Sequence, residues 1–305
     1  MMASIKSLSR FKSIEDVALV THKNCLDGSG VKIMFLRAGG LKQNIYEVNA
    51  GEVGKFLHKH LQDLNDKFLI FADVGLNKDH DDHKELEKRG DCVLLDHHST
   101  ASHLTNESWC LIDQEKCGTE LLRLYLELTD DYSYKLSRLI QDDDLWIKKN
   151  PESDDLSAFH VFVGSDNFVD RFRYTRNVYR ESIFDIDEKE IVSMISDRKE
   201  RIIEDLLNRV YYKKMCVGDN QINIGYIVSS DHNTSPLLNR LLDRRKDLDV
   251  ACQINIEKGS VSFRSKNYDV SKLAQLFGGG GHKRASGHSI KEDLLERLIE
   301  DIHGI

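Results

Sequence analysis

The sequence predicts an α/β protein of two domains, in which an amino-terminal parallel sheet with helices on both faces is followed by a smaller carboxy-terminal α/β domain. Three observations carry this. Residues 16–96 alternate short, wholly apolar, β-rich runs with segments of helical period. A stretch rich in Glu, Lys, Arg and Ile over residues 178–210 then reads as one or two amphipathic helices. Beyond it the strand-and-helix pattern restarts.

Taken in order, residues 17–21 (VALVT), 67–71 (KFLIF) and 92–95 (CVLL) read as buried strands. Helices are expected over 29–37, 51–64 and 79–88, between or beside the strands. Strands this apolar belong to a parallel sheet covered on both faces. Helices then dominate, at 118–128, with leucines at 121, 122, 124, 126 and 128, and at 132–146. In the second half, strands are expected at 222–228, 250–256 and 261–263, with strand-like residues at 286–290. Its helices are expected near 236–243, 270–277 and 293–302. The boundary falls near residue 200, dividing the chain into a domain of 1–190, a helical linker of 191–212 and a domain of 213–305.

Composition excludes several classes. Of 305 residues, 40% are hydrophobic and 31% charged, with 2 prolines and 19 glycines and no long low-complexity tract. That describes a globular protein with room for two cores. The longest apolar runs are about five residues, against roughly 20 for a bilayer span, so no membrane segment is expected. No apolar stretch follows the basic residues of 1–12, so no secretory signal is visible. Six cysteines at 25, 92, 110, 117, 216 and 252 form no CxxC pair. They read as reduced thiols, and a cytoplasmic location is expected. The net charge of −8 is uneven: residues 1–190 carry −10 and residues 191–305 carry +2. An acidic first half suits a cation site and a mildly basic second half an anionic ligand. Without a basic stripe, duplex DNA is not an expected partner.

In open parallel sheets ligands bind outside the carboxyl ends of the strands, and here those ends are chemically loaded. The first strand runs into Thr21-His22-Lys23-Asn24-Cys25-Leu26-Asp27-Gly28, the second into Ala72-Asp73, and the third into Asp96-His97-His98. A further acidic run, Asp142-Asp143-Asp144, ends the helix of 132–146. One aspartate after a strand is usually a turn former; four coinciding sites are a cluster. Imidazoles and carboxylates together suit manganese, magnesium, iron or cobalt. Two such ions sharing a carboxylate can direct attack at phosphorus. A second segment, residues 278–287 (GGGGHKRASG), follows the strand of 261–263 and Arg264-Ser265. Its four glycines could form an anion nest, with His282, Lys283 and Arg284 supplying charge. The spacing is not that of a Walker loop.

The triplet Asp96-His97-His98, together with the GGGGHKRASG run, resembles the DHH phosphoesterase superfamily and its DHH-associated carboxy-terminal domain, over about residues 17–289. The resemblance implies an active site in the cleft between two domains and two divalent metal ions, manganese first among the candidates. By position it implies His22, Asp27, Asp73, His97 and Asp142 as metal ligands, with Asp73 the bridge. His98 would contact the scissile phosphate. Arg264, Ser265, Gly279, Gly280, His282 and Arg284 would hold the substrate. Of the contiguous aspartates, Asp142 is expected as ligand and Asp144 behind it. One departure stands in the first motif, where Cys25, beside Asn24, replaces a usual aspartate. A thiolate there would soften the site and an amide oxygen would weaken it; the preferred reading of Cys25 is a small packed residue.

The expected function is a metal-dependent phosphodiesterase, an oligoribonuclease that cleaves short RNA or linear dinucleotides such as pGpG to mononucleotides. The length leaves no room for the extra oligonucleotide-binding domain of long single-strand exonucleases, which favours short substrates. Alternatives are hydrolysis of a cyclic dinucleotide, of 3′-phosphoadenosine 5′-phosphate or of pyrophosphate, the last disfavoured by the glycine run. A non-catalytic nucleotide sensor is the alternative of another class. The chain is compatible with a homodimer.

Overall fold

The computed structural model describes residues 10–49, 51–76, 82–175, 182–217, 220–231 and 233–290. The chain divides between residues 195 and 196 into two compact units.

The amino-terminal unit contains, in chain order, β1 (Val17–His22), α1 (Leu26–Arg37), β2 (Ile45–Val48), α2 (Val53–His60), β3 (Phe68–Ala72), α3 (Asp82–Arg89), β4 (Cys92–Asp96), β5 (Cys110–Ile112), α4 (Gly118–Tyr125), α5 (Asp131–Asp144), α6 (Pro151–Val163) and α7 (Ser165–Phe172). The long helix α8 (Ile186–Leu207) crosses the division. The five strands pair in parallel throughout, in the order β2-β1-β3-β4-β5. Alternate residues of each strand feed opposite faces. Val17, Leu19, Ile70, Ala72, Val93 and Leu95 join α1 and α4–α7 in one core. Ala18, Val20, Leu69, Phe71, Cys92 and Leu94 pack with α2 and α3 in the other. Burial on both faces is why these strands read as unbroken apolar runs.

The strand order reverses between β1 and β3. β1 is followed outward by β2 on one side and by β3, β4 and β5 on the other, which makes the carboxyl ends of β1 and β3 the switch point where such sheets bind ligands.

The carboxy-terminal unit contains β6 (Tyr211–Val217), β7 (Asn220–Val228), α9 (Thr234–Arg244), β8 (Val250–Asn255), β9 (Ser260–Arg264), α10 (Val270–Gln275), β10 (Gly280–His282) and β11 (Ala285–Ser289). Its six strands run in the order β10-β11-β9-β8-β7-β6, and among the described residues only β7 and β8 are parallel. Leu237, Leu238, Leu241 and Leu242 of α9 cover one face with Ile203, Ile227 and Ala251. Val270, Leu273 and Ala274 of α10 cover the other with Ile222, Ile224, Val250, Cys252 and Phe263.

The α/β class and the buried strands match the sequence expectation, and several elements go beyond it. β2 was not expected because Ile45-Tyr46-Glu47-Val48 is an edge strand buried only at Val48. α6 is a further element beyond the expectation, and its start is marked in the sequence: Asn150 caps it by accepting from the Glu152 amide and Pro151 stands in its first turn. The helix expected at 293–302 lies outside the described residues. No helix among the described residues is long and apolar enough to cross a membrane.

Candidate metal centre

The site is built at the carboxyl ends of β1, β3 and β4. His22 closes β1, Asp73 follows β3, and Asp96 closes β4 with His97 and His98 after it. Asp27, in the first turn of α1, is almost wholly buried. Its carboxylate is fixed from the far side by the start of α4: the Gly118 amide donates to Oδ2 at 2.7 Å and the Thr119 amide to Oδ1 at 2.8 Å. The Thr119 hydroxyl donates to the Asp27 carbonyl at 2.9 Å. A side chain at Gly118 would lie 2.7 Å from Cβ of Asp73 and 3.0 Å from Oδ2 of Asp27, so only glycine lets these two carboxylates approach.

Backbone strain is concentrated here. Asn24 and Asp73 adopt φ of 58° and 59° in the left-handed region that side chains seldom occupy. Trp146 and Lys148, just after Asp144, do the same at 54°. Such conformations persist where the surroundings over-determine them, characteristically at functional sites.

Three carboxylates surround His97. Its Nε2 lies 3.4 Å from Asp73 Oδ1, 3.5 Å from Asp144 Oδ2 and 3.8 Å from Asp27 Oδ2. That nitrogen is buried and has no hydrogen-bond partner. Donor atoms spaced a little over 3 Å apart without direct hydrogen bonds are what ligands of a common cation show, whose neighbouring donors stand about 3 Å apart. His97 with Asp27 and Asp144 forms one group of converging donors, and His22, Cys25 and Asp73 form another. Asp73 also groups with His97 and His98, so it reaches both sides. The residues fit a divalent pair sharing Asp73.

Electrostatics demand the same charge. Burial and the Asp27 charge push the Asp73 carboxyl up to about 7, and the same two causes push Asp144 to about 8. Burial opposes protonation of His97, but its contact with Asp73 and the charges of Asp144 and Asp27 raise it to about 10. His22 is lowered by burial and by the His98 charge. Without a cation, the cluster therefore holds protons in its place.

His98 stands apart in role. Its Nδ1 donates to Oδ1 of the fully buried Asp96 at 2.8 Å, which leaves Nε2 as the free end of a half-buried ring. Burial works against its protonation, yet the Asp96 contact raises its pKa above the ordinary histidine value.

Two expectations are corrected by these contacts. Asp142 is not among the converging donors. Its carboxylate accepts from the Ser153 hydroxyl at 2.6 Å and from the amides of Lys149 and Asn150 at 3.0 and 3.2 Å, pinning the turn between α5 and α6. Asp144, expected behind it, is the one that faces His97. Ser265 is also committed elsewhere, because its hydroxyl donates to the Asp249 carbonyl and accepts from the amides of Asn267 and Tyr268.

The glycine run does not form an open nest. The amides of Gly278 and Gly279 return to the Gln275 and Ala274 carbonyls and close α10. Gly280 then pairs with Gly287 in β10–β11. Gly279 lies so close to Gly287 and His288 that a side chain would clash. Arg264, half-buried, donates to Ser235 Oγ at 2.6 Å. Arg264 and His282 both pair with Ala285, which sets them on one face of the sheet. His282 and Arg284 are exposed.

Residues 223–305 match the model of the DHHA1 domain. The chain is 24% identical to the oligoribonuclease NrnB of Bacillus subtilis (strain 168) over 303 residues, which cover 91% of this chain and 74% of that protein. The carboxy-terminal unit thus resembles the DHHA1 domain, and nearly the whole chain is similar to that oligoribonuclease. Another relative by sequence is the 3′,5′-cyclic-nucleotide phosphodiesterase of Helicobacter pylori (strain ATCC 700392 / 26695), 22% identical over 80% of this chain and 83% of that one. In fold, the DHH-domain structure of a member of the s1p family of ribosomal proteins superposes with a TM-score of 0.61 at 14% identity, over 95% of this chain and 87% of that one. Gly118 and Thr119 were not among the expected site residues, and the signal they offer in sequence is a glycine and a threonine opening a helix otherwise rich in leucine.

Two measurements test this geometry. Asp142→Ala should cost about 1–3 kcal/mol of stability in urea unfolding, by stranding the donors it satisfies. Asp144→Ala should leave metal-free stability unchanged or higher, since a carboxyl that its surroundings hold away from its charged form is removed, while weakening divalent-metal affinity by roughly tenfold or more in calorimetry. The reverse pattern would return Asp142 to the ligand set. In the second, binding must displace protons held on Asp73, Asp144 and His97, so affinity rises with pH. Manganese should raise Tm more at about pH 8.5 than at about pH 6; equal shifts would remove these groups from the metal site.

Proposed function

We propose that this protein is a DHH-type, divalent-metal-dependent phosphodiesterase that hydrolyses short RNA oligonucleotides or linear dinucleotides to mononucleotides, with manganese as the preferred ion. The observation that carries the reading is the convergence of Asp27, Asp73 and Asp144 on the unpartnered Nε2 of His97, beside a histidine whose other nitrogen is tied to a buried aspartate. The relationship to an oligoribonuclease supports the substrate class.

His22, Asp27, Asp73, His97 and Asp144 would hold the metal pair, with Asp73 common to both positions. When bound, such a pair activates water for attack at phosphorus and neutralises charge on the leaving oxygen. The rest falls to the protein's own groups. Asp27 is held rigid by the α4 amides, so its position costs no rearrangement when substrate arrives. Asp96 fixes the His98 ring and keeps the proton on Nδ1, directing Nε2 at the scissile phosphate. Contact with Asp96 favours the protonated ring, and a proton on Nε2 would donate to a non-bridging oxygen as charge builds in the transition state. In the carboxy-terminal unit, Arg264, His282 and Arg284 are the groups proposed to bind the substrate's anionic end.

The test is turnover of a 5′-phosphorylated linear dinucleotide with manganese and with chelator. Mononucleotide release in manganese alone is expected. His98→Ala should lower kcat roughly 10²–10⁴-fold with metal content unchanged, whereas Arg284→Ala should mainly raise KM. Dinucleotide bound equally well in chelator, with no turnover in manganese, would make the protein a sensor.

A further inference from the structure

Cys25 occupies a position that packing alone does not explain. It is only half-buried, and its Sγ faces the carboxylate of Asp73, 3.2 Å from Oδ2. On the other side Sγ accepts from the Gly28 amide at 3.1 Å, at the start of α1. A nitrogen of His22, an oxygen of Asp73 and Sγ of Cys25 all lie within 4.8 Å of one another. Donors on one tetrahedral ion stand about 3.5 Å apart, given bonds of about 2.0–2.3 Å. Asn24, in a left-handed conformation, precedes Cys25, and Asp73, in another, faces it.

We propose that Cys25 is a metal ligand, and that the two cation positions of this protein differ in kind. His22, Cys25 and Asp73 form a nitrogen–sulfur–oxygen set that prefers a borderline ion such as zinc, cobalt or ferrous iron. Asp27, His97 and Asp144 form an oxygen-rich set suited to manganese or magnesium. On binding, the thiol proton leaves to solvent as the metal–sulfur bond forms, and the Gly28 amide remains donated to the sulfur. The inference rests on the metal-dependent reading above, and deepens it by assigning a softer ion to one half of the pair.

The experiment uses the full chain stripped of metal, in a Cys216→Ser background because Cys216 is exposed and would bind ions on its own. Cobalt(II) titration should produce an intense near-ultraviolet sulfur-to-cobalt band that saturates with one of two bound ions. Cys25→Ser should lose that band while retaining the weaker ligand-field bands, and Cys117→Ser should keep it. Cys25→Asp should lose it and shift the competition between zinc and manganese toward manganese by roughly tenfold or more. X-ray absorption of the zinc-loaded protein needs no Cys25 variant and should show sulfur at about 2.3 Å. A zinc shell of nitrogen and oxygen alone, or a band that survives loss of Cys25, overturns the proposal. Dinucleotide turnover measured on the same samples separates the two readings. Turnover without the band removes the thiolate and leaves the phosphodiesterase, and a band without turnover does the opposite.

Discussion

Three carboxylates packed around one imidazole, two of them buried and the third at the surface, set the terms for the rest of this structure. Two like charges about 4 Å apart repel by about 4 kcal/mol at the effective dielectric near a protein surface, and here Asp27, Asp73 and Asp144 share the buried Nε2 of His97 as a neighbour. Such a cluster holds its shape only if each member is anchored by something other than its neighbours. Asp27 is anchored by two amides of α4, Asp73 by its left-handed backbone at the end of β3, and Asp144 by its place at the end of α5. The last is a poor site for a negative charge, because the carbonyl end of a helix is itself negative. Repulsion, burial and that helix end act in the same direction, and a divalent cation relieves all three.

Asp142 shows how the scaffold serves this cluster without joining it. By accepting from Ser153 and from the amides of Lys149 and Asn150, it ties the end of α5 to the start of α6. The intervening residues Trp146 and Lys148 are forced into left-handed conformations, and Lys148 bonds both Asp143 and Asp154. A turn so tightly held fixes where α5 stops and therefore where Asp144 points. The neighbouring aspartates divide the work, one stabilising the turn and the other presenting charge.

That division also shows what the sequence could reveal. Strand ends were legible because a strand buried on both faces is a run of apolar residues, and its polar end stands out; His22, Asp73, His97 and His98 were found this way. The choice between Asp142 and Asp144 was not legible, since successive helical residues turn by about 100° and only the tertiary frame says which faces inward. The amides of Gly118 and Thr119 were invisible for a related reason, because backbone donors carry no residue type. The glycine run misled in the other direction. Four glycines suggested exposed amides, but two of those amides close α10 and a third glycine pairs in a hairpin, so the residues answer close backbone approach instead. Ser265 likewise was read by its chemistry and not by its turn, where its hydroxyl is spent on the backbone.

The histidine pair follows from strand geometry in a way that explains why two adjacent residues can do different things. Along extended chain successive side chains alternate in direction. Asp96 is the last residue of β4, and His98, two residues on, returns to its side and meets its carboxylate. His97, between them, turns the other way into Asp27, Asp73 and Asp144. One side of the chain thus forms a buried acid–imidazole pair with a free outer nitrogen, and the other supplies a nitrogen to the carboxylate cluster. A one-residue slip of this segment would take the imidazole now beside Asp96 into the carboxylates and the one now among the carboxylates toward Asp96. The order of the triplet is therefore a consequence of the strand's two-residue period, and the chemistry on each side depends on it.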